Sequence, residues 1–153
     1  LHTLCAHRKG ENGMEFFLPM IPPTVTHQDK AIRAWVDKSG RARAVIHDSE
    51  RLKDTKAKFR AHLARHRPER PIAPRVPVRL LVKWLFPAGE KHRDGEWMTE
   101  KPDTENLNKA LVDCMTQLGF WADDAQVVSE IIEKFWAKIP GIYIRVDILQ
   151  EEQ

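Results

Sequence analysis

Alternation of apolar and polar residues predicts the strands of this chain. Two segments have the period of two that is typical of half-buried strands. Their apolar positions are Val76, Val78, Leu80, Val82 and Trp84 in one and Ile142, Ile144, Val146 and Ile148 in the other. The segment MEFFLPMIPP predicts a first strand that ends at prolines, which cannot donate to a sheet ladder. Two short β-prone runs on either side of residues 37–40 predict a hairpin.

Two other segments have helical spacing. The first, residues 49–66, begins at the cap candidates Asp48 and Ser49, and its apolar side is formed by Leu52, Phe59 and Leu63. The second, residues 104–118, has an apolar stripe at intervals of four, three and four, formed by Leu107, Leu111, Cys114 and Leu118. Gly119 follows, at the point where many helices end in a left-handed residue.

Composition narrows the class of protein. The 153 residues are 42% hydrophobic and 31% charged, which is enough apolar sequence for one core and argues against a disordered chain. No apolar run approaches membrane-spanning length, and the first residues are neither a signal peptide nor an anchor, so no membrane partner is expected. Cys5 and Cys114 form neither a disulfide framework nor a zinc site. We therefore expect a cytoplasmic, reduced protein.

Basic residues are concentrated in the first predicted helix and the segment after it. Between Arg51 and Arg70 there are eight basic residues against two acidic ones. Such a stripe suits a polyanion and gives salt-sensitive affinity, although a solvated helix face explains it equally well. Lys56 and Arg60 are the candidates for contact on this face. His62 and His66 have the spacing of a metal pair, but we interpret them as surface residues of the same helix.

The candidate catalytic and metal-binding residues are concentrated in residues 101–127, KPDTENLNKALVDCMTQLGFWADDAQV. Asp103 and Glu105 lie at the start of the predicted second helix. A cap and a pair between Glu105 and Lys109, one turn apart, explain these acids without any function. Asp123 and Asp124 are harder to explain, because adjacent carboxylates repel each other unless a cation lies near. A return of the chain after the helix could bring all four acids to one end.

Converging carboxylate oxygens suit Mg²⁺ or Mn²⁺, the hard cations that prefer oxygen ligands. Lys109, one turn along the helix, could bind a scissile phosphate or its developing negative charge. Such a metal would activate water for phosphodiester hydrolysis. A sugar-nucleotide transferase with a DxD motif is disfavoured, because no glycine-rich phosphate loop precedes a helix and the chain is short for a nucleotide-binding domain. No small-molecule cofactor is therefore expected.

The segment resembles the signature of RusA-type Holliday-junction resolvases, which is a basic residue followed by x-Asp-x-Asp-Asn-x-x-Lys, a helix and Asp-Asp-x-Gln-Val. The matching positions are Lys101, Asp103, Glu105, Asn106, Lys109, Asp123, Asp124, Gln126 and Val127. The resemblance spans most of the chain after residue 13. We accordingly predict an N-terminal extension of uncertain start over residues 1–13 and a RusA-like endonuclease domain over residues 14–150.

With the predicted elements, the resemblance implies an α+β two-layer domain in which two main helices flank a mixed sheet, and which forms a homodimer. It implies that Asp103, Glu105 and Asp124 bind Mg²⁺, with Mn²⁺ as a substitute, that Lys109 assists at the phosphate and that Asp123 supports the site. Lys101 becomes a further candidate for DNA contact. The implied activity is Mg²⁺-dependent resolution of four-way junctions by paired incisions, in the recombination and repair of a bacterial cell, and phage or prophage origin is typical of the family.

Glu105 departs from the family pattern, which usually has Asp at this position. The extra methylene moves a metal ligand, and small misplacements of catalytic groups are costly. A catalytically impaired protein that binds branched DNA without cutting it is therefore the alternative reading.

Two segments near the signature carry predictions of their own. The apolar residues over 127–135 recur with helical spacing, but their β-branching and the resemblance favour a strand, which we predict. The polar, glycine-containing residues over 88–101 predict a mobile loop. Trp97, within that loop, is a candidate for stacking on bases, whereas the other tryptophans are interpreted as core or interface anchors.

Overall fold

The computed structural model describes residues 13–26 and 28–149, so the predicted extension lies outside the described residues except for Gly13, and Cys5 lies outside them too. The fold is α+β, as predicted. In chain order its main elements are β1 (Gly13–Leu18), β2 (Lys30–Val36), β3 (Ala42–Asp48), α1 (Glu50–Leu63), β4 (Val78–Pro87), α2 (Thr104–Gln117), β5 (Val127–Ala137) and β6 (Gly141–Ile148). None of the helices in the described residues is long and apolar enough to cross a membrane.

The main sheet is mixed and has the strand order β1-β6-β4-β5. β4 pairs in parallel with β5 at the edge and antiparallel with β6, which in turn pairs antiparallel with β1. The prediction of a strand over 127–135 is confirmed. Its helical spacing is overridden by the ladder, in which Ile131 pairs with Leu81 and Phe135 with Leu85.

The core lies between one face of this sheet and the two helices. Alternate residues of β4 and β6 are fully buried, as their period of two predicts; they are Val78, Leu80, Val82, Trp84, Ile142, Ile144 and Val146. The helices cover this face with Leu52, Phe59, Leu63, Leu107, Leu111 and Cys114, each at most 1% exposed. Burying a large apolar side chain contributes roughly 1.5–3 kcal/mol. The two-layer arrangement therefore holds α2 firmly against the sheet.

Local signals account for the helix ends. The Leu52 amide donates to the Ser49 hydroxyl at 3.1 Å, so the predicted cap of α1 forms. Gly119 follows α2 with a φ of +78°, the left-handed conformation that its position predicts. His66 is a correction. Predicted on the surface, it lies in a short 3₁₀ turn after α1, is 8% exposed and stacks on Phe16 with ring centroids 4.5 Å apart.

The segment over 88–101 is also more ordered than its composition predicts. It runs along the free edge of β5, where the Gly95 amide donates to the Trp136 carbonyl at 2.8 Å and the Trp136 amide donates to the Glu96 carbonyl at 2.7 Å. Trp97 stacks on Phe135 at 4.4 Å between centroids and remains 61% exposed. The segment is a loop, as predicted, but these hydrogen bonds tie it to β5 and protect the edge of the sheet.

β2 and β3 form the predicted hairpin as a separate two-stranded sheet. Their residues alternate between two faces, and one face carries six apolar residues, with the charged pair of Lys30 and Asp48 at its end. That face, which we call the hairpin face, consists of Ile32, Ala34, Val36, Ala42, Ala44 and Ile46, all of them exposed.

Candidate active site

Asp103 occupies the N-cap position of α2. Its backbone is extended, and its carbonyl accepts the first helical hydrogen bond, from the Leu107 amide, at 3.0 Å. The side chain makes no capping hydrogen bond, although Asp is among the best capping residues. The carboxylate therefore does not cap the N-terminus of the helix, where it lies beside the positive end of the helix dipole.

A cleft of about 410 Å³ opens between α2, the turn that follows it and β5. Its walls are formed by Glu105, Asn106, Lys109, Val112, Asp124, Val127, Glu130 and Ile132. Of the acids and bases predicted for the site, the cleft brings together Glu105, Lys109 and Asp124. Three other predicted site residues are close to these in the sequence but do not line the cleft; they are Asp103, Asp123 and Lys101.

Lys109 is held by acidic groups. Its ammonium donates to the Asp113 carboxylate at 2.9 Å and lies 3.8 Å from a carboxylate oxygen of Asp124. The hydrogen bond that Lys109 donates to Asp113 is the main cause that raises the pKa of Lys109, with further contributions from the charges of Asp124 and Glu130. Lys109 is therefore a cation at neutral pH, and its ion pair one helical turn away is with Asp113 instead of the expected Glu105.

Asp123 and Gln126 shape the turn that presents Asp124. The Asp123 carboxylate accepts from the Ala125 amide at 2.9 Å, which is the first cause that lowers its pKa, followed by a hydrogen bond with Asp124. The Gln126 side chain accepts from the Asp123 amide at 2.9 Å and donates to the Ala73 carbonyl at 2.7 Å. This reciprocal capping box fixes a 3₁₀ turn over Asp124–Gln126, so the two adjacent aspartates have separate tasks.

Two residues of the site were missed from the sequence. Glu130 on β5 lines the cleft, and Asn108 on α2 donates to its carboxylate at 2.5 Å. Asn108 is 1% exposed and also accepts from the Trp84 indole at 3.1 Å. The sequence signal was the period of two along β5, which puts Glu130 and Ile132 on the same face, but it is readable only after the segment is known to be a strand.

Lys134 is a third residue that sequence reasoning missed. Its ammonium donates to the carbonyls of Glu100, at 2.5 Å, and Pro102, at 2.7 Å. The Lys134 carbonyl also accepts from the Met98 amide at 3.0 Å. The strand thereby holds the segment that leads directly into Asp103.

The structure corrects the picture of the basic helix face. Lys56 is only 13% exposed, forms an ion pair with Asp48 at 2.8 Å and lies 4.0 Å from Asp113. Arg60 donates to the Gln117 side chain at 3.4 Å, across the contact between α1 and α2. The two DNA-contact residues predicted on α1 thus face the contact between the helices, because packing buries that side of α1. The exposed basic residues of the stripe are Arg51, Lys53, Lys58, Arg65, Arg67 and Arg70, and Lys101 is exposed as well.

The donor set of the cleft fits a divalent cation in chemistry. Glu105, Asp124 and Glu130 surround one open volume, and carboxylate oxygens are the ligands that Mg²⁺ and Mn²⁺ prefer. Within the described part of the chain, no group of three acids, histidines or cysteines is arranged closely enough to hold a metal ion. Of the three acids predicted to converge, Glu105 and Asp124 share the cleft and Asp103 does not line it. Closure of the carboxylates around a cation would require side-chain rotation.

Two comparisons with known proteins agree with this geometry. A family model described as Endodeoxyribonuclease RusA matches residues 21–147, a range that contains every residue of the cleft. A crossover junction endodeoxyribonuclease rusA from Lactococcus phage r1t is 30% identical over 114 residues, which cover 74% of this chain and 80% of the relative.

Proposed function

Because the chain belongs to the RusA family of endodeoxyribonucleases, we propose that it resolves four-way DNA junctions by paired, Mg²⁺-dependent incisions in recombination and repair. The observation that carries this proposal is the cleft, which gathers Glu105, Lys109 and Asp124 of the family signature against one wall of β5. The phage relative, whose name describes action at crossover junctions, supports the same substrate class. The proposed place of action is the bacterial cytoplasm, where such DNA arises.

Each acid and base has a proposed task in the hydrolysis. Asp103, Glu105 and Asp124 would hold Mg²⁺, or Mn²⁺ as a substitute, and the bound metal would polarise the phosphate and activate water. Lys109 binds a non-bridging phosphate oxygen and balances the negative charge that develops there. Its raised pKa keeps the ammonium charged throughout the neutral pH range. Asp123 acts through the turn and keeps Asp124 aimed at the cleft.

DNA approaches, in this proposal, along the exposed part of the basic stripe and Lys101. Phosphate contacts of this kind position the duplex arms without reading sequence, and recognition is by the shape of the junction. Lys56 and Arg60, the first candidates, are retained only as secondary contacts, because their charged groups already have partners within the fold.

The hairpin face supports a homodimer, which two symmetric cuts need. Ile32 and Ile46 are cross-strand partners on this face and are 73% and 71% exposed. A two-stranded hairpin is marginally stable alone in water, and a contiguous exposed apolar patch is typical of an interface. A second copy that packs its own hairpin face here would cover both patches and set two clefts in a fixed relation.

A labelled synthetic junction tests the function. We expect wild-type protein to make paired incisions with Mg²⁺ or Mn²⁺ and none with EDTA. Asp124→Asn should lower the cleavage rate by at least about a hundredfold and leave junction binding intact, because a cation ligand is lost while the turn is retained. Asp54→Asn, which removes an exposed carboxylate of α1, is the matched control and should cut like the wild type.

The same experiment separates the alternative function. A stable complex without cuts in either metal would identify an impaired junction-binding protein and direct attention to Glu105. Restoration of cutting by Glu105→Asp would then show that one methylene divides the two functions. Equal cutting by wild type and Asp124→Asn would contradict the site assignment.

A further inference from the structure

Glu130 is a carboxylate of the cleft that lies outside the family signature. It stands on β5, across the cleft from α2, and shares the cleft with Glu105, Lys109 and Asp124. Asp103, by contrast, does not line the cleft. The third carboxylate that faces this volume is thus supplied by the strand and not by the start of the helix.

A buried chain of hydrogen bonds fixes the orientation of Glu130. The Trp84 indole can only donate, and it donates to the Asn108 side-chain oxygen at 3.1 Å. The amide nitrogen of Asn108 must therefore point the other way, where it donates to one carboxylate oxygen of Glu130 at 2.5 Å. Trp84 and Asn108 are at most 1% exposed, so the support is anchored in the core.

This support leaves Glu130 half engaged. One oxygen accepts from Asn108, and the other accepts no hydrogen bond from the described residues. The Glu130 side chain lines the cleft together with Lys109. An exposed glutamate on a strand would otherwise be free to rotate, at a cost in side-chain entropy whenever it bound a ligand. The buried Asn108 orders the Glu130 side chain before any ligand binds, so less side-chain entropy is lost on binding. Supporting residues orient metal ligands in this way.

We propose that Glu130 is a further cation-binding carboxylate of the active site and that Asn108, anchored by Trp84, is its positioning residue. The inference rests on the proposed metal-dependent function. The proposal adds an oxygen ligand on β5, on the wall of the cleft opposite Glu105. Two ligands on opposite walls could bind one ion between them even though the Glu105 side chain is one methylene longer than Asp.

The test is Mn²⁺ binding to the whole protein without DNA, measured from the electron paramagnetic resonance signal of free Mn²⁺. Glu130→Gln keeps an oxygen that accepts from Asn108 and loses the charged ligand oxygen. We expect Mn²⁺ affinity to fall by at least about tenfold, with an unchanged melting temperature. The matched control is Glu133→Gln, three residues along β5 on the opposite face, which should bind Mn²⁺ like the wild type.

Trp84→Phe and Asn108→Leu test the positioning chain. Both remove a hydrogen bond and leave Glu130 in place, so Mn²⁺ affinity should fall less than in Glu130→Gln, in proteins whose circular dichroism remains that of the wild type. Equal Mn²⁺ affinity in wild type and Glu130→Gln would overturn the inference. If wild type binds Mn²⁺ and cuts junctions while Glu130→Gln does both equally well, only this inference fails. If wild type does neither, the proposed function fails with it.

Discussion

The cleft and the hairpin use apolar residues in opposite ways. At the cleft, polar groups rest on a finished core: Trp84, Leu107 and Leu111 are at most 1% exposed beneath them. On the hairpin face, Ile32 and Ile46 are more than two-thirds exposed and nothing in the described residues packs over them. The scaffold of the active site is therefore buried within one chain, whereas the hairpin exposes the apolar surface that the proposed dimer would cover.

Alternating charges connect the two regions. Asp48, at the end of β3, pairs with Lys30 and with Lys56 at 2.8 Å. Lys56 lies 4.0 Å from Asp113, which binds Lys109 at the cleft. These ion pairs link the hairpin to α1 and α2, and no residue of β2 or β3 belongs to the hydrophobic core of the described residues. Substitutions in the cleft should therefore affect catalysis, and substitutions on the hairpin face should affect assembly.

The largest expected effect is at the cleft. Lys109→Gln removes the ammonium proposed to bind the phosphate and should lower the junction cleavage rate by about a hundredfold or more, because charge stabilisation in the transition state is lost. Melting temperature and dimer mass should be unchanged. Single-turnover kinetics on the synthetic junction provide the measurement, and Lys138→Gln, an exposed lysine beyond β5, provides the control. Wild-type rates in Lys109→Gln would remove this residue from the mechanism.

At the hairpin the expected effect is on assembly. Ile46→Lys places a charge on the hairpin face opposite Ile32, so two such faces would repel when packed together. Light scattering coupled to size-exclusion chromatography should then report a monomer for this variant and a dimer for the wild type. Lys38→Ala, in the exposed turn of the same hairpin, should leave the dimer intact. A dimeric Ile46→Lys would place the interface elsewhere.

A smaller effect is expected from the segment that leads to Asp103. Lys134→Gln loses the ammonium that holds the carbonyls of Glu100 and Pro102, so Asp103 should be less well placed and kcat should fall by about tenfold with little change in KM. Amide hydrogen exchange should quicken over residues 98–103. Lys83→Gln, on the opposite face of the sheet, controls for the loss of charge. Unchanged exchange and kcat would show that the clamp is dispensable.

The smallest effect concerns stability in acid. Hydrogen bonds from Lys30 and then Lys56 lower the pKa of Asp48 from 3.8 to about 2. A lowered pKa contributes stability that is fully present above pH 3.8 and is lost as the pH falls towards 2. Asp48→Asn should therefore cost roughly 1–2 kcal/mol of unfolding free energy at pH 7. Urea melts of both proteins at pH 7 and near pH 2 should converge at the acid end, and an equal gap at both would contradict the role of Asp48.

Local patterns predicted most of the fold, because alternation along β4 and β6 and the caps of α1 and α2 act over short distances. The identity of β5 could not be read from its spacing, since pairing with β4 decides it. Glu130 and Lys134 were missed for the same reason, because their roles depend on which face of β5 packs against α2. Lys56 was placed on an open surface because its position relative to Asp48 and Asp113 is a property of packing.

Within the site, the predicted convergence is confirmed for Glu105, Lys109 and Asp124, which share one cleft, but Asp103 and Asp123 do not line it. The spacing of the signature sufficed for the three that share the cleft, because one helix and one tight turn fix them. Asn106 also lines the cleft, in the position that the signature gives it. The metal ligands themselves and the dimer stay predictions.

A plasmid that extrudes a cruciform offers the most direct test of the account, since paired cuts linearise it and a single cut only nicks it. Wild-type protein with Mg²⁺ should produce linear DNA, Asp124→Asn should leave the plasmid supercoiled, and Ile46→Lys should produce nicked circles at most. Linear product from Asp124→Asn would contradict the assignment of the cleft, and linear product from Ile46→Lys at the wild-type rate would contradict the separation of cleft and hairpin on which the account depends.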